Sequence, residues 1–285
     1  MRSWLAQYEM RSASTLDEAL SLLSSAPGGW TPFAGGTDLM VLLEAGRLPA
    51  RRFLDLWKIP ELRGVTASDT GVTIGALATY TDLLKDPVIA SEFPLVSAAA
   101  RETGAVAIQN RGTVGGNIAN ASPAADLPPA LVVYDAVLEL ASSRGRRRVP
   151  YGSFHTGYKK MDLAGDELIV SVTLPRGRID AGWKQAYRKV GTRRAQAISK
   201  ICFAAAARID SGTIREIRVA FGSVAPTVVR AVRAEAALRG MVVSVETLAA
   251  ARAALGRDIA PIDDVRSTAD YRLTVAGNLL EAFVS

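Results

Sequence analysis

Residues 104–129 constrain this chain more than any other stretch. The run Gly-Ala-Val-Ala-Ile-Gln-Asn-Arg-Gly-Thr-Val-Gly-Gly-Asn-Ile-Ala-Asn-Ala-Ser-Pro-Ala-Ala-Asp-Leu-Pro-Pro crowds small, polar and turn-forming residues together. Between Arg111 and Asp126 there is no ionised side chain, yet Thr113, Asn117, Asn120 and Ser122 supply hydrogen-bonding groups, and Gly112, Gly115 and Gly116 leave the backbone bare. Glycine reaches positive φ without penalty, so consecutive N–H groups can point into one concavity and hold an anion by dipoles rather than by a lysine. The stretch reads as a diphosphate cradle.

A glycine doublet alone would not justify that reading. With 24 glycines in 285 residues, about two Gly-Gly pairs are expected from near-average usage, and the chain has three. Gly115-Gly116 stands out by its company: a hydroxyl at Thr113, an amide at Asn117, an acid at Asp126 and a second hydroxyl-bearing loop upstream, Phe33-Ala34-Gly35-Gly36-Thr37-Asp38-Leu39. Two glycine loops with this chemistry point to a nucleotide, against the alternative of two structural turns.

Ala34-Gly35-Gly36-Thr37-Asp38, then Gly112-Thr113-Val114-Gly115-Gly116-Asn117, Ala121-Ser122-Pro123 and Asp126-Leu127, resemble the flavin-binding subunit of the molybdenum hydroxylases. This family includes xanthine dehydrogenases and aerobic carbon monoxide dehydrogenases, and the likeness to their separate medium subunit runs from about Tyr8 to the last helix.

Composition narrows the alternatives. A chain of this length with 49% hydrophobic residues can bury a full core, and its length suggests two or three subdomains. The net charge of +6 raises nucleic acid as a partner, but the basic residues are scattered outside Arg144–Arg148 and Arg188–Arg194, and neither cluster interleaves stacking aromatics. No nucleic-acid partner is expected, and the clusters read as solvated turns or subunit contacts. Cys202 and His155 are the only residues of their kinds, too few for a zinc or iron–sulfur site or a disulfide framework. Cys202 lies in an apolar run and reads as a reduced core residue; His155 reads as a surface residue, with a catalytic role left open. No stretch reaches membrane-spanning length, and Glu9, Asp17 and Glu18 stand where a secretory signal would be apolar. A cytoplasmic protein is expected.

The N-terminal segment reads as strand, helix, strand, helix. Thr15 with Glu18 makes a capping box for the first helix. The strand Trp30–Ala34 then runs through Gly35-Gly36 into a second helix that Thr37 or Asp38 caps, whose free N–H groups would face a ligand above the loop. Strands are expected at Phe53–Leu56, Gly71–Gly75, Ala136–Ala141 and Asp166–Leu174, and helices from Thr79, over Phe93–Thr103 and over Ala130–Tyr134. Pro175-Arg176-Gly177 reads as a domain boundary. Beyond it come a strand from Trp183, two long strands at Ile198–Ile209 and Thr213–Gly222 joined by the Asp210-Ser211-Gly212 turn, and helices near 229–239, 244–255 and 267–283.

The resemblance implies an α+β fold: a vanillyl-alcohol-oxidase-type (PCMH-type) FAD-binding domain of two subdomains, residues 1–57 and 58–176, and a C-terminal α+β domain with a small antiparallel sheet, residues 177–285. Carried over residue by residue, it implies that Ala34, Gly35, Gly36, Thr37 and Asp38, together with Thr113, Val114, Gly115, Gly116 and Asn117, hold the FAD diphosphate. It further implies that Asp126 contacts the flavin's polar tail, that Ile169 lies on the flavin through its backbone, and that Lys184 approaches the ring system. There a cation would stabilise the anionic reduced form, with a solvated strand lysine as the alternative. The chain departs from the family pattern at Ala107 and Gln109, where members often carry glutamine and arginine. No catalytic residue and no metal ligand is assigned. The molybdopterin cofactor and two [2Fe–2S] clusters would belong to a large and a small partner subunit in a dimer of heterotrimers. Electrons would leave through FAD to NAD+, quinone or oxygen. The alternative is a self-contained flavin-dependent oxidase or reductase of the same fold, with Tyr187 or His155 as its acid or base.

Overall fold

The structure, a computed structural model, describes residues 8–193 and 196–285; Arg194, at the end of the second basic cluster, lies outside them. The chain opens with β1 (Glu9–Ser12), α1 (Leu16–Ser25), β2 (Thr31–Phe33), α2 (Leu39–Glu44) and β3 (Arg52–Asp55). The helices act as crossovers, so the strands lie parallel in the order β1-β3-β2. The Thr15 hydroxyl accepts the Glu18 amide at 3.2 Å, while the Glu18 carboxylate accepts the amide of Ser14 at 2.8 Å, so the expected capping box closes one residue earlier. Leu16, Ala19, Leu20 and Leu23 on one face of α1 pack with Trp30, Leu54 and Leu56.

The second unit contains β4 (Val65–Ser68), β5 (Gly71–Gly75), α3 (Tyr80–Lys85), α4 (Pro87–Glu92), α5 (Pro94–Glu102), α6 (Val106–Gln109), α7 (Val114–Ala119), α8 (Pro128–Val133), β6 (Val137–Ser142) and β7 (Gly145–Pro150). A helical turn, α9 (Tyr151–Phe154), a hairpin of β8 (His155–Gly157) and β9 (Lys160–Met161), and then β10 (Leu168–Pro175) complete it. The antiparallel sheet runs β4-β5-β10-β6-β7. Its helices bury Leu83, Val96, Ile118, Leu131 and Val133 against Ile74, Leu138, Leu140 and Val172. The basic cluster expected in a turn instead forms β7: Arg146 pairs with Glu139, and Arg147 with Asp162 and Glu167.

The C-terminal third comprises β11 (Lys184–Val190), β12 (Ile201–Asp210), β13 (Thr213–Gly222), β14 (Val229–Arg230), α10 (Val232–Leu238), α11 (Val245–Leu255) and α12 (Ala269–Val284), its strands forming one antiparallel sheet in chain order. Helix α10 begins later than expected because Val229 and Arg230 pair with Phe221 and Ala220. Ser211 and Gly212, both at positive φ, make the β12–β13 turn. The sheet is covered on both sides. Ala204, Ala206 and Ala220 face the second unit, while Phe203, Ala205, Ala207 and Phe221 face α10–α12. Among the described residues no helix is long and apolar enough to cross a membrane.

Candidate cofactor site

The fold brings the two glycine loops into direct contact. A β-carbon on Gly35 would lie 1.7 Å from the Arg111 carbonyl oxygen, so only a glycine lets the first loop seat on the backbone of the second. Gly36 turns the chain at φ +75°, below which Phe33 fills the space. From there the amides of Gly35, Gly36, Thr37, Asp38 and Leu39 donate to no acceptor among the described residues. A run of unspent backbone donors that opens on two glycines can take a diphosphate. Asp38, expected as a helix cap, makes no side-chain cap bond. Its carboxylate instead accepts from the Asn120 side chain at 3.2 Å, because Lys159 Nζ, a pure donor, binds both Asn120 oxygens at 2.6 Å and turns the NH2 group towards Asp38.

The second loop works differently from the sequence expectation. Val114 and Gly115 donate to Ala78 and Ala76 at 2.9 and 2.8 Å, Gly116 to the Thr113 hydroxyl at 3.1 Å, and Asn117 to the Thr113 carbonyl at 2.9 Å. These amides are spent stitching α7 to the chain that follows β5 and capping its first turn. Gly115 is small because Ala76 lies against it, where a β-carbon would come within 2.7 Å of the alanine's own. Gly116 is exposed, and a β-carbon there would meet Thr113 Oγ1 at 2.8 Å, so it contributes a bare surface rather than a donor. Behind α7, Asn117 Oδ1, Tyr80 Oη and Tyr151 Oη are buried without a partner. His155 Nε2 lies 2.9 Å from the Ile118 carbonyl, and burial lowers its pKa, which favours the neutral ring.

The remaining expected residues lie elsewhere. Asp126 is buried in the seam with the C-terminal third. Its carboxylate accepts from Lys189 Nζ at 2.7 Å and Ser199 Oγ at 2.6 Å, and its carbonyl from Tyr187 Oη at 2.9 Å. Burial pushes the carboxyl up, and Lys189 pulls it back. Ile169 is buried in β10 at an irregularity of the β10–β6 pairing. Lys184 opens β11, exposed, with Nζ 5.5 Å from the centre of the Phe283 ring. Tyr187 and His155, the acid or base residues of the alternative reading, are engaged with Asp126 and Ile118. Asn120 was read from the sequence as a hydrogen-bonding group of the stretch, but Lys159, Lys189 and Ser199 were missed at the sequence level. The alternation of Gln185, Tyr187 and Lys189 on one face of β11 was the available signal for Lys189.

Comparison with known proteins agrees with this architecture. Residues 6–177 match the FAD binding domain in molybdopterin dehydrogenase, and residues 185–285 match the CO dehydrogenase flavoprotein C-terminal domain. The chain is 35% identical over 275 residues to the xanthine dehydrogenase FAD-binding subunit of Escherichia coli O157:H7, covering 96% of this chain and 93% of that one. It is 30% identical over 275 residues to the carbon monoxide dehydrogenase medium chain of Hydrogenophaga pseudoflava, covering 96% and 95%. The solved carbon monoxide dehydrogenase from H. pseudoflava superposes with a TM-score of 0.92 at 31% identity over 98% of this chain and 96% of that chain. Quinoline 2-oxidoreductase from Pseudomonas putida 86 superposes at 0.89 and 26% identity, with the same coverage.

A PCMH-type FAD-binding fold backed by this C-terminal sheet defines a flavoprotein subunit of an oxidoreductase. The chain belongs to the FAD-binding medium-subunit family of the molybdenum hydroxylases.

Proposed function

We propose that this chain carries electrons out of a heteromeric molybdenum hydroxylase. Substrate is oxidised at a molybdopterin cofactor on a large partner subunit, and electrons pass through two [2Fe–2S] clusters on a small one and leave by way of FAD for NAD+, quinone or oxygen. FAD, when bound, supplies the capacity to exchange electrons with one-electron and two-electron partners. The chain's own residues hold and orient it. The row of unspent amides from Gly35 to Leu39 beside the Thr113-capped α7 carries this reading. In it, Ala34–Asp38 donate to the diphosphate, Thr113, Val114 and Gly115 hold the start of α7 in place from behind so that Gly116 and Asn117 offer the wall opposite, and Asp126, Ile169 and Lys184 are assigned to the rest of the cofactor. The three larger sheets, of three, five and four strands, support a division into residues 1–57, 58–176 and 177–285. We place the complex in the cytoplasm as a dimer of heterotrimers.

The test is purification of the native complex through a tag on this chain, with its visible spectrum, metals and co-purifying subunits. Flavin with iron, molybdenum and two further subunits is the expected result. Flavin alone, on a homo-oligomer that turns over a substrate, would establish the self-contained flavoenzyme instead.

A further inference from the structure

The C-terminal third grips the segment that closes the cradle. The Ser223 amide donates to the Pro123 carbonyl at 2.7 Å, and Tyr187 Oη to the Asp126 carbonyl at 2.9 Å. Lys189 and Ser199 hold the two oxygens of the Asp126 carboxylate, one each. Every partner is buried or nearly so: Lys189 and Asp126 side chains are 7% and 10% exposed, and Ser199 is fully buried. Lys189 also donates to the Glu102 carbonyl at 2.8 Å, at the end of α5 and just before the chain enters the loop that seats Gly35. One ammonium group therefore touches the chain both where it enters residues 104–129 and where it leaves them.

We propose that Lys189 is a positioning residue for FAD: by clamping the Glu102 carbonyl and the Asp126 carboxylate together, it fixes both ends of the cradle segment. How tightly FAD is held is then set from the C-terminal domain as well as from the two glycine loops. The Glu102 carbonyl and Ser199 complete the hydrogen bonding that a buried ion pair requires; what ties the pair to the cradle is that its two anchors lie at the two ends of the cradle segment. The proposal rests on the reading that FAD lies against residues 34–38 and 113–117.

The experiment follows FAD release from the full chain in its native complex, by recovery of flavin fluorescence, with the melting temperature recorded separately. In Lys189→Met, FAD should leave about tenfold faster, the lower end of what losing an orienting partner costs at metal sites. The double variant Asp126→Asn/Lys189→Met removes the uncompensated buried charge, so its melting temperature should return towards wild type while release stays fast. Wild-type release from a folded Lys189→Met protein would overturn the proposal. So would wild-type release from the double variant, since Lys189 would then only offset a charge. Gly116→Val is the control: it should lose FAD, and full retention there would refute the cradle reading on which the proposal stands.

Discussion

Gly35 is the residue with least freedom to change. An alanine methyl at this position would sit inside the Arg111 carbonyl, so Gly35→Ala must push the two loops apart. The expected outcome is loss of most bound FAD, read from flavin absorbance. A stability loss of about 1–3 kcal/mol should accompany it in chemical denaturation; full FAD content with an unchanged midpoint would show the loops do not meet here. The glycines and hydroxyls of both loops were legible in the sequence because turn chemistry is local. Which amides stay unspent was not, since it depends on α7 lying against Ala76 and Ala78. Nor was the partner of Asp126, because Lys189 is 63 residues away and a contact at that range leaves no periodic trace.

Among the elements, the helix starts capped by Thr15, Thr79, Thr113, Ser244 and Thr268 follow a local rule, and several were read correctly. Strand β7 was missed because its arginines mask the alternation that marks a strand; Arg146 faces Glu139 on β6, and Arg147 faces Asp162 and Glu167, which come later in the chain. Arg147 binds the Glu167 carboxylate at 2.7 and 2.8 Å. This bond, ahead of the others, holds Glu167 below the usual carboxylate range, as Arg144 does for Asp166 and Arg147 for Asp162. A depressed folded pKa contributes stability that is present above the unfolded value, about 4, and lost as pH falls through the folded one. Thermal stability should therefore hold from neutrality to about pH 5 and decline below about pH 4. Arg147→Met leaves Glu167, whose side chain is 7% exposed, without its cation, at a cost of about 1–3 kcal/mol. Because Arg147 no longer holds Glu167 and Asp162 down, the variant's acid decline should be shallower and the two stability curves should converge below about pH 4; parallel melting curves for variant and wild type would exclude this role for the pair.

Across the whole molecule, the β12 run Ile201–Ala207 reads in sequence as uninterrupted apolar residues because both of its faces are covered, one by the second unit and one by α10–α12. That shared core, with Tyr134 donating to Gln185 at 2.6 Å and Asp135 joining Arg178, Arg218 and Arg230, ties the last third to the rest. Calorimetry of the chain should show one cooperative transition, and two separated peaks would mean the seam is too weak to couple them. The family was legible at this scale because its two motifs recur in order, whereas the seam needed the strand register.

Cys202 lies in that seam with its sulfur 2.7 Å from Tyr187 Oη, and burial pushes its thiol well up, away from the reactive thiolate. The chain has one sulfhydryl and it is shut in. Its modification by a thiol reagent should therefore proceed only as often as the halves part, which makes Cys202 a native stopwatch for the breathing of the molecule, read by mass alone.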